Sequence, residues 1–95
     1  MSDPQGLKSA HTDATGTLVT GAFYLKGYQC ISGGTAGEII FRDGGVSGTD
    51  VVRFNIGTGT QPIVMEIPED GILFTTDVHV TLPATAKTTA FLQVV

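Results

Sequence analysis

Glu69 and Asp70 stand side by side in "PEDG", residues 68–71. Paired carboxylates are the working groups of glycoside hydrolysis, one as acid and the other as base or nucleophile. That chemistry needs them across a cleft, roughly 5–9 Å apart. Neighbours on a single solvated turn point apart instead. Pro68 fixes one φ angle, and Asp70 and Gly71 supply turn conformations, so the stretch predicts a turn between Ile67 and Ile72.

A second acidic stretch, "DGGVSGTD", spans residues 43–50. Calcium β-rolls repeat GGxGxD in tandem, whereas this stretch reads GGxxGxD and occurs once. The spacing of an EF-hand is absent as well. One calcium ion on Asp43 and Asp50 is the chemical option, and a solvent-exposed hairpin tip is the favoured reading. The histidines, His11 and His79, fall in settings too different to form a metal pair by spacing. His79 alternates with Val78 and Val80, so it is expected on the polar face of a strand, exposed or at an interface. The single cysteine, Cys30, lies in the apolar-rich "YQCIS" and is expected to be a buried core thiol. It has no partner for an intrachain disulfide, nor for a cysteine-based zinc site. GxSxG, P-loop and dinucleotide fingerprints are missing. No nucleophile–base–orienter set emerges, and the chain reads as a non-enzyme without metal or cofactor. Tyr24 and Tyr28 are four apart, so a regular strand would put them on one face. With Phe23 they could form a sugar platform, although a core or interface role is the stronger reading in a chain without Trp.

The elements that would position these residues are strands. Glu38–Arg42 alternates, with Ile39 and Phe41 on one side. Val51–Ile56 alternates again through Val52, Phe54 and Ile56, and the two segments predict a hairpin with a long tip. Thr17–Thr20, Phe23–Ser32, Val78–Leu82 and Thr88–Val95 are also strand-like. Ile63, Met65 and Ile67 form a further apolar face. Gly27 within a strand pattern predicts a bulge or bend. Ile72, Phe74, Val78, Val80 and Leu82 are expected in the core. The result is about seven or eight short strands separated by turns, an all-β, small antiparallel β-sandwich, jelly-roll or immunoglobulin-like. Residues 17–95 form its single domain, and residues 1–16 read as an irregular N-terminal arm. The apolar closing strand must be central or covered, because an edge of that kind invites pairing.

Composition narrows the partners. The chain has 95 residues, a formal charge of −4 and only five basic side chains, which are scattered. An acidic surface repels phosphate, so no nucleic acid is expected, and no polybasic run holds an anionic membrane. No segment is long and apolar enough for a membrane helix, and no secretory signal pattern opens the chain. A domain this small is marginally stable alone, which favours a partner or an oligomer.

The order of motifs adds a resemblance. "TGTLVTGAFYLKGYQCISGGTAGEIIFRDGG" is followed by "VVRFNI", then "IPEDGILFTTDVHVTL" and a closing apolar strand. This order, over roughly residues 15–95, resembles small virion proteins of tailed bacteriophages. The matching features are a TG-L-V-G opening, the hairpin Ala36–Gly44, the P-x-x-GI-F segment Pro68–Phe74 and the V-x-V-x-L strand. The resemblance implies a virion structural protein, made in the host cytoplasm, that decorates or stabilises the capsid by binding the major capsid protein. It also implies a homo-oligomer, with a trimer favoured. Contacts are then expected from Leu7, His11 and Thr12 in the arm and from Asp43, Val46 and Asp50 in the strand-tip loops. The alternatives are a tail fibre, knob or adaptor component and a glycan-binding β-module.

Overall fold

The computed structural model describes residues 7–95, which form nine strands. They are β1 (Leu7–Thr12), β2 (Gly16–Thr20), β3 (Phe23–Ile31), β4 (Gly37–Asp43), β5 (Thr49–Ile56), β6 (Ile63–Glu66), β7 (Ile72–Phe74), β8 (Asp77–Thr81) and β9 (Lys87–Val94). One antiparallel sheet has the order β1-β9-β3-β6, with β7 also on β3. The other has the order β2-β8-β4-β5.

The pairing is nested. β4 pairs β5, β3 pairs β6 and β7, β2 pairs β8, and β1 pairs β9. The chain therefore runs out and back as one long hairpin that rolls up into two layers. Of the two expected sandwiches, this winding is the jelly roll. The turn at residues 67–71 divides one return strand into β6 and β7. Glu69 takes a left-handed φ of 62° there, and Gly71 one of 83°. A Cβ on Gly71 would lie 2.4 Å from the Leu25 carbonyl oxygen, so only glycine fits.

The core lies between the sheets. Leu25, Cys30, Phe74, Ala90 and Leu92 from the first sheet meet Ile39, Phe41, Val78 and Val80 from the second, all fully buried. Burying each larger side chain contributes about 1.5–3 kcal/mol. Tyr28 tilts against Phe41 and stacks on Phe54 at 5.2 Å between ring centres. Ile72 and Leu82 are partly buried against this cluster. The apolar closing strand β9 is central, held between β1 and β3, which resolves the edge problem.

The structure corrects four expectations. Residues 7–12 are not irregular: they form β1, which pairs with β9 from Leu7↔Gln93 to Thr12↔Thr88. Gly16, also assigned to the arm, opens β2, while residues 1–6 lie outside the described residues. The count is nine strands because of β1 and the division between β6 and β7. β6 is not a core strand, since all four of its residues are exposed. His79 is 6% exposed, so at its position the polar face of β8 is covered by protein, while Asp77 and Thr81 beside it are half-buried.

Candidate interaction surface

The tip of the β4–β5 hairpin is built from charge and backbone. Asp43 sits at the end of β4 and accepts hydrogen bonds from the backbone N–H groups of Thr75, Thr76 and Asp77 and from the Thr75 hydroxyl, the shortest at 2.8 Å. Those bonds, led by the one from the Thr75 backbone, hold its carboxyl below the usual range. Asp77 answers by accepting from the N–H groups of Gly44 and Gly45, at 2.9 and 3.1 Å. Each aspartate thus caps the other's turn. Arg42 donates through Nη1 to the Val46 carbonyl (3.2 Å) and through Nε to Asp50 (2.7 Å). Arg53 bridges Asp50 at 3.1 Å and grips Glu38 with two bonds of 2.6 and 2.8 Å. Arg42 lowers the Asp50 carboxyl and Arg53 lowers that of Glu38.

This arrangement gives two of the expected contact residues a role within the chain. Asp43 turns toward Thr75–Asp77 and Asp50 toward two arginines, so their carboxylates do not converge on a shared cation. Both are occupied in holding the tip. What the tip presents is Val46, at 67% exposure the most exposed large apolar side chain among the described residues.

The other expected contacts lie on β1, at the edge of the first sheet. Leu7 begins the strand, and its side chain is outside the described part. Thr12 turns inward on the chain and donates to the Ala14 carbonyl at 2.7 Å. His11 lies opposite Thr89 on β9, and Thr89 lies opposite Gln29 on β3. Its Nε2 is 2.7 Å from an Asp13 carboxylate oxygen and its Nδ1 is 2.8 Å from the Thr89 hydroxyl. A carboxylate only accepts, so Nε2 carries a proton, while Nδ1 shares the hydrogen bond with the Thr89 hydroxyl.

Asp13, His11 and Thr89 therefore form the orienter–base–hydroxyl chain that sequence reading did not find. It borders a shallow depression of about 100 Å³ lined also by Gln29, Ile31 and Lys87. Acyl transfer also needs donors aimed at the developing oxyanion. β9 is hydrogen-bonded on both sides, so the backbone around Thr89 is committed to the sheet ladders. The histidine and aspartate side chains are more than half exposed, where water weakens their electrostatics. The chain of bonds does what its register suggests: it fastens β1 to β9. The sequence carried no signal for it, because its ends are separated by most of the chain.

The tyrosine platform does not form. The strand register shifts at Gly27, which faces Met65 so closely that a Cβ would lie 2.8 Å from the Met65 carbonyl oxygen. The extra residue inverts the alternation. Phe23 and Leu25 point inward before the bulge, and Tyr28 and Cys30 point inward after it, so Tyr24 and Tyr28 occupy opposite faces. Cys30 is fully buried and 3.1 Å from the Thr88 hydroxyl, and burial raises its thiol pKa.

The largest run of exposed apolar surface is β6, where Ile63, Val64 and Met65 are 37%, 63% and 47% exposed. β6 pairs with β3 on one side and, among the described residues, has no strand on the other. Among the described residues, no group of three or more His, Cys, Asp or Glu side chains converges as a metal site. Comparison with protein-family models, with curated proteins and with solved structures gave no match in any of the three.

Proposed function

We propose that the chain is a structural component of a tailed-phage particle that sits on the capsid and binds the major capsid protein and further copies of itself. The observation that carries this reading is the bare edge of β6. Proteins that stay monomeric protect sheet edges with charge, proline or bulges. An edge with three successive exposed apolar residues suits a protein that meets a partner. The order of motifs described above supports the particle assignment. The jelly roll is compatible with it, since the fold serves in viral particles, though equally in lectins, and does not choose a function by itself.

Val46 supplies a second contact. Its loop is fixed before any encounter, which lowers the ordering cost of docking. An exposed aliphatic side chain on a rigid tip suits an apolar pocket of the capsid protein.

Quantitative mass spectrometry of purified particles tests the assignment. A capsid protein of this kind is present at a copy number on the order of that of the major capsid protein. A few copies per particle would move it to the tail, as a fibre, knob or adaptor piece, and absence from the particle would overturn the reading.

A further inference from the structure

Among the described residues the sandwich has five edge strands, with β7 in line with β6 on β3, and three of them are guarded. β1 carries Lys8 and His11. β5 carries Asp50 and Arg53, and its ladder with β4 is interrupted by a bulge. β2 is bulged between Thr17 and Val19. β7 has a regular register and three apolar residues but buries Phe74 and half-buries Ile72, so β6 alone combines a regular register with successive exposed apolar side chains. Glu66 closes it at one end and Pro62 precedes it at the other.

We propose that β6 pairs with β6 of a second copy of this chain, antiparallel, about a two-fold axis normal to the sheet. The register with β3 decides the details. Ile63 and Met65 lie opposite Cys30 and Tyr28, so they are on the core side of the sheet. Val64 lies opposite Gln29, on the outer side. A two-fold axis normal to the sheet keeps each side on its own side, so residues must meet others of the same face. Val64 then meets Val64 of the second copy, and each Ile63 meets the other copy's Met65. Glu66 falls opposite Pro62, where the ladder stops because proline has no N–H. Sliding the strands by two residues would press Glu66 against Val64 and bury a carboxylate among aliphatic groups. Sliding them the other way sets Pro62, which has no N–H, opposite Val64 and leaves little of β6 paired with β6, so the first register pairs the strand most fully. The first sheet then continues unbroken through both copies. The contact is two-fold, in place of the trimer that the motif order implies. The inference rests on the same bare edge as the proposed function and names its first occupant.

The test is a cysteine at the axis. Residues directly opposed across an antiparallel pair have Cβ atoms about 4.5–5.5 Å apart. That spacing is within reach of a disulfide once the side chains adjust. Val64→Cys is expected to give mostly disulfide-linked dimer under mild oxidation, while Ser9→Cys on the β1 edge stays monomeric. Val64→Lys is expected to halve the mass by light scattering with an unchanged far-ultraviolet dichroism spectrum. Cross-linking of Val64→Cys no faster than that of Ser9→Cys, or a monomeric wild type, would overturn the pairing. A monomer that is nonetheless abundant in particles would sink the pairing and leave the capsid reading standing. A β6-linked dimer from a chain absent from particles would do the reverse.

Discussion

Asp43 and Asp77 cap each other's turns: the carboxylate of Asp43 holds the N–H groups of residues 75–77, and that of Asp77 holds those of Gly44 and Gly45. They join the hairpin tip to the loop that leads into β8, so the tip is tied to the second sheet.

Acid should release this tip. The folded-state pKa of Asp43 lies below its unfolded value, about 3.9. Its contribution is therefore complete above that value and is lost as pH falls through the lower folded one. Asp50 and Glu38, lowered by Arg42 and Arg53, act in the same direction. Urea titrations between pH 2 and 6, a range spanning roughly the carboxylate region, are expected to show Asp43→Asn with a shallower acid-side loss than the wild type. Asp43→Ala should cost about 1 kcal/mol at pH 7, the usual value for a capping side chain, since the group is only half-buried. Equal slopes for the variant and the wild type would exclude Asp43 as the acid-labile tie.

Gly71→Ala is expected to destabilise by more than about 1 kcal/mol, because alanine meets both the positive φ and the Leu25 carbonyl. Gly59→Ala, where a Cβ meets nothing within 4 Å, is the comparison. Thermal denaturation of the two variants side by side reads the difference.

Cys30 should be silent to a thiol reagent in the folded chain. Burial closes access and raises its pKa, so thiolate is scarce at neutral pH. An aromatic disulfide reagent should titrate one thiol in guanidinium and none in buffer. Rapid native labelling would mean that the two sheets part readily.

His79 buries Nδ1 without a hydrogen-bond partner. An unpaired polar atom costs stability that an apolar ring of similar shape does not incur. His79→Phe should therefore stay within about 1 kcal/mol of the wild type or gain on it, as read by urea titration. A large loss would reveal a role for the imidazole that its neighbours Thr17 and Arg42 do not disclose.

Thr89→Val removes the hydroxyl bonded to His11 Nδ1 and should cost about 0.5–1 kcal/mol. The wild type should hydrolyse p-nitrophenyl acetate no faster than free imidazole at matched concentration. A faster rate abolished by Thr89→Val would turn the fastening into a catalytic chain.

The strands with clean alternation were legible. Ile39 and Phe41 lead into the core as their spacing requires, and β4 and β5 form the expected hairpin. Gly27 marked its bulge in advance, but its effect on parity, which separates Tyr24 from Tyr28, emerges only once the register is followed through it. β1 was illegible for a physical reason. "LKSAHT" has little apolar pattern, and its strand character comes from the β9 edge it completes. β6 showed its apolar residues without showing that no layer covers them, since a strand's period of two is the same at an edge and in a centre. The His11–Thr89 bond depends on the β1–β9 register and could not be read before it.

The nested winding has a consequence for how the molecule is made. The hairpin of β4 and β5 is complete once residue 56 of the 95 has emerged from the ribosome. β9, the strand between β1 and β3, is synthesised last. Until it arrives, β1 has no neighbour and β3 lacks its long partner, so the first sheet is assembled by insertion into a waiting gap. Pairings between residues so distant in sequence form slowly. The sheet closes only when residues 87–94 slot in between β1 and β3, and until then the apolar faces of the earlier strands stay uncovered.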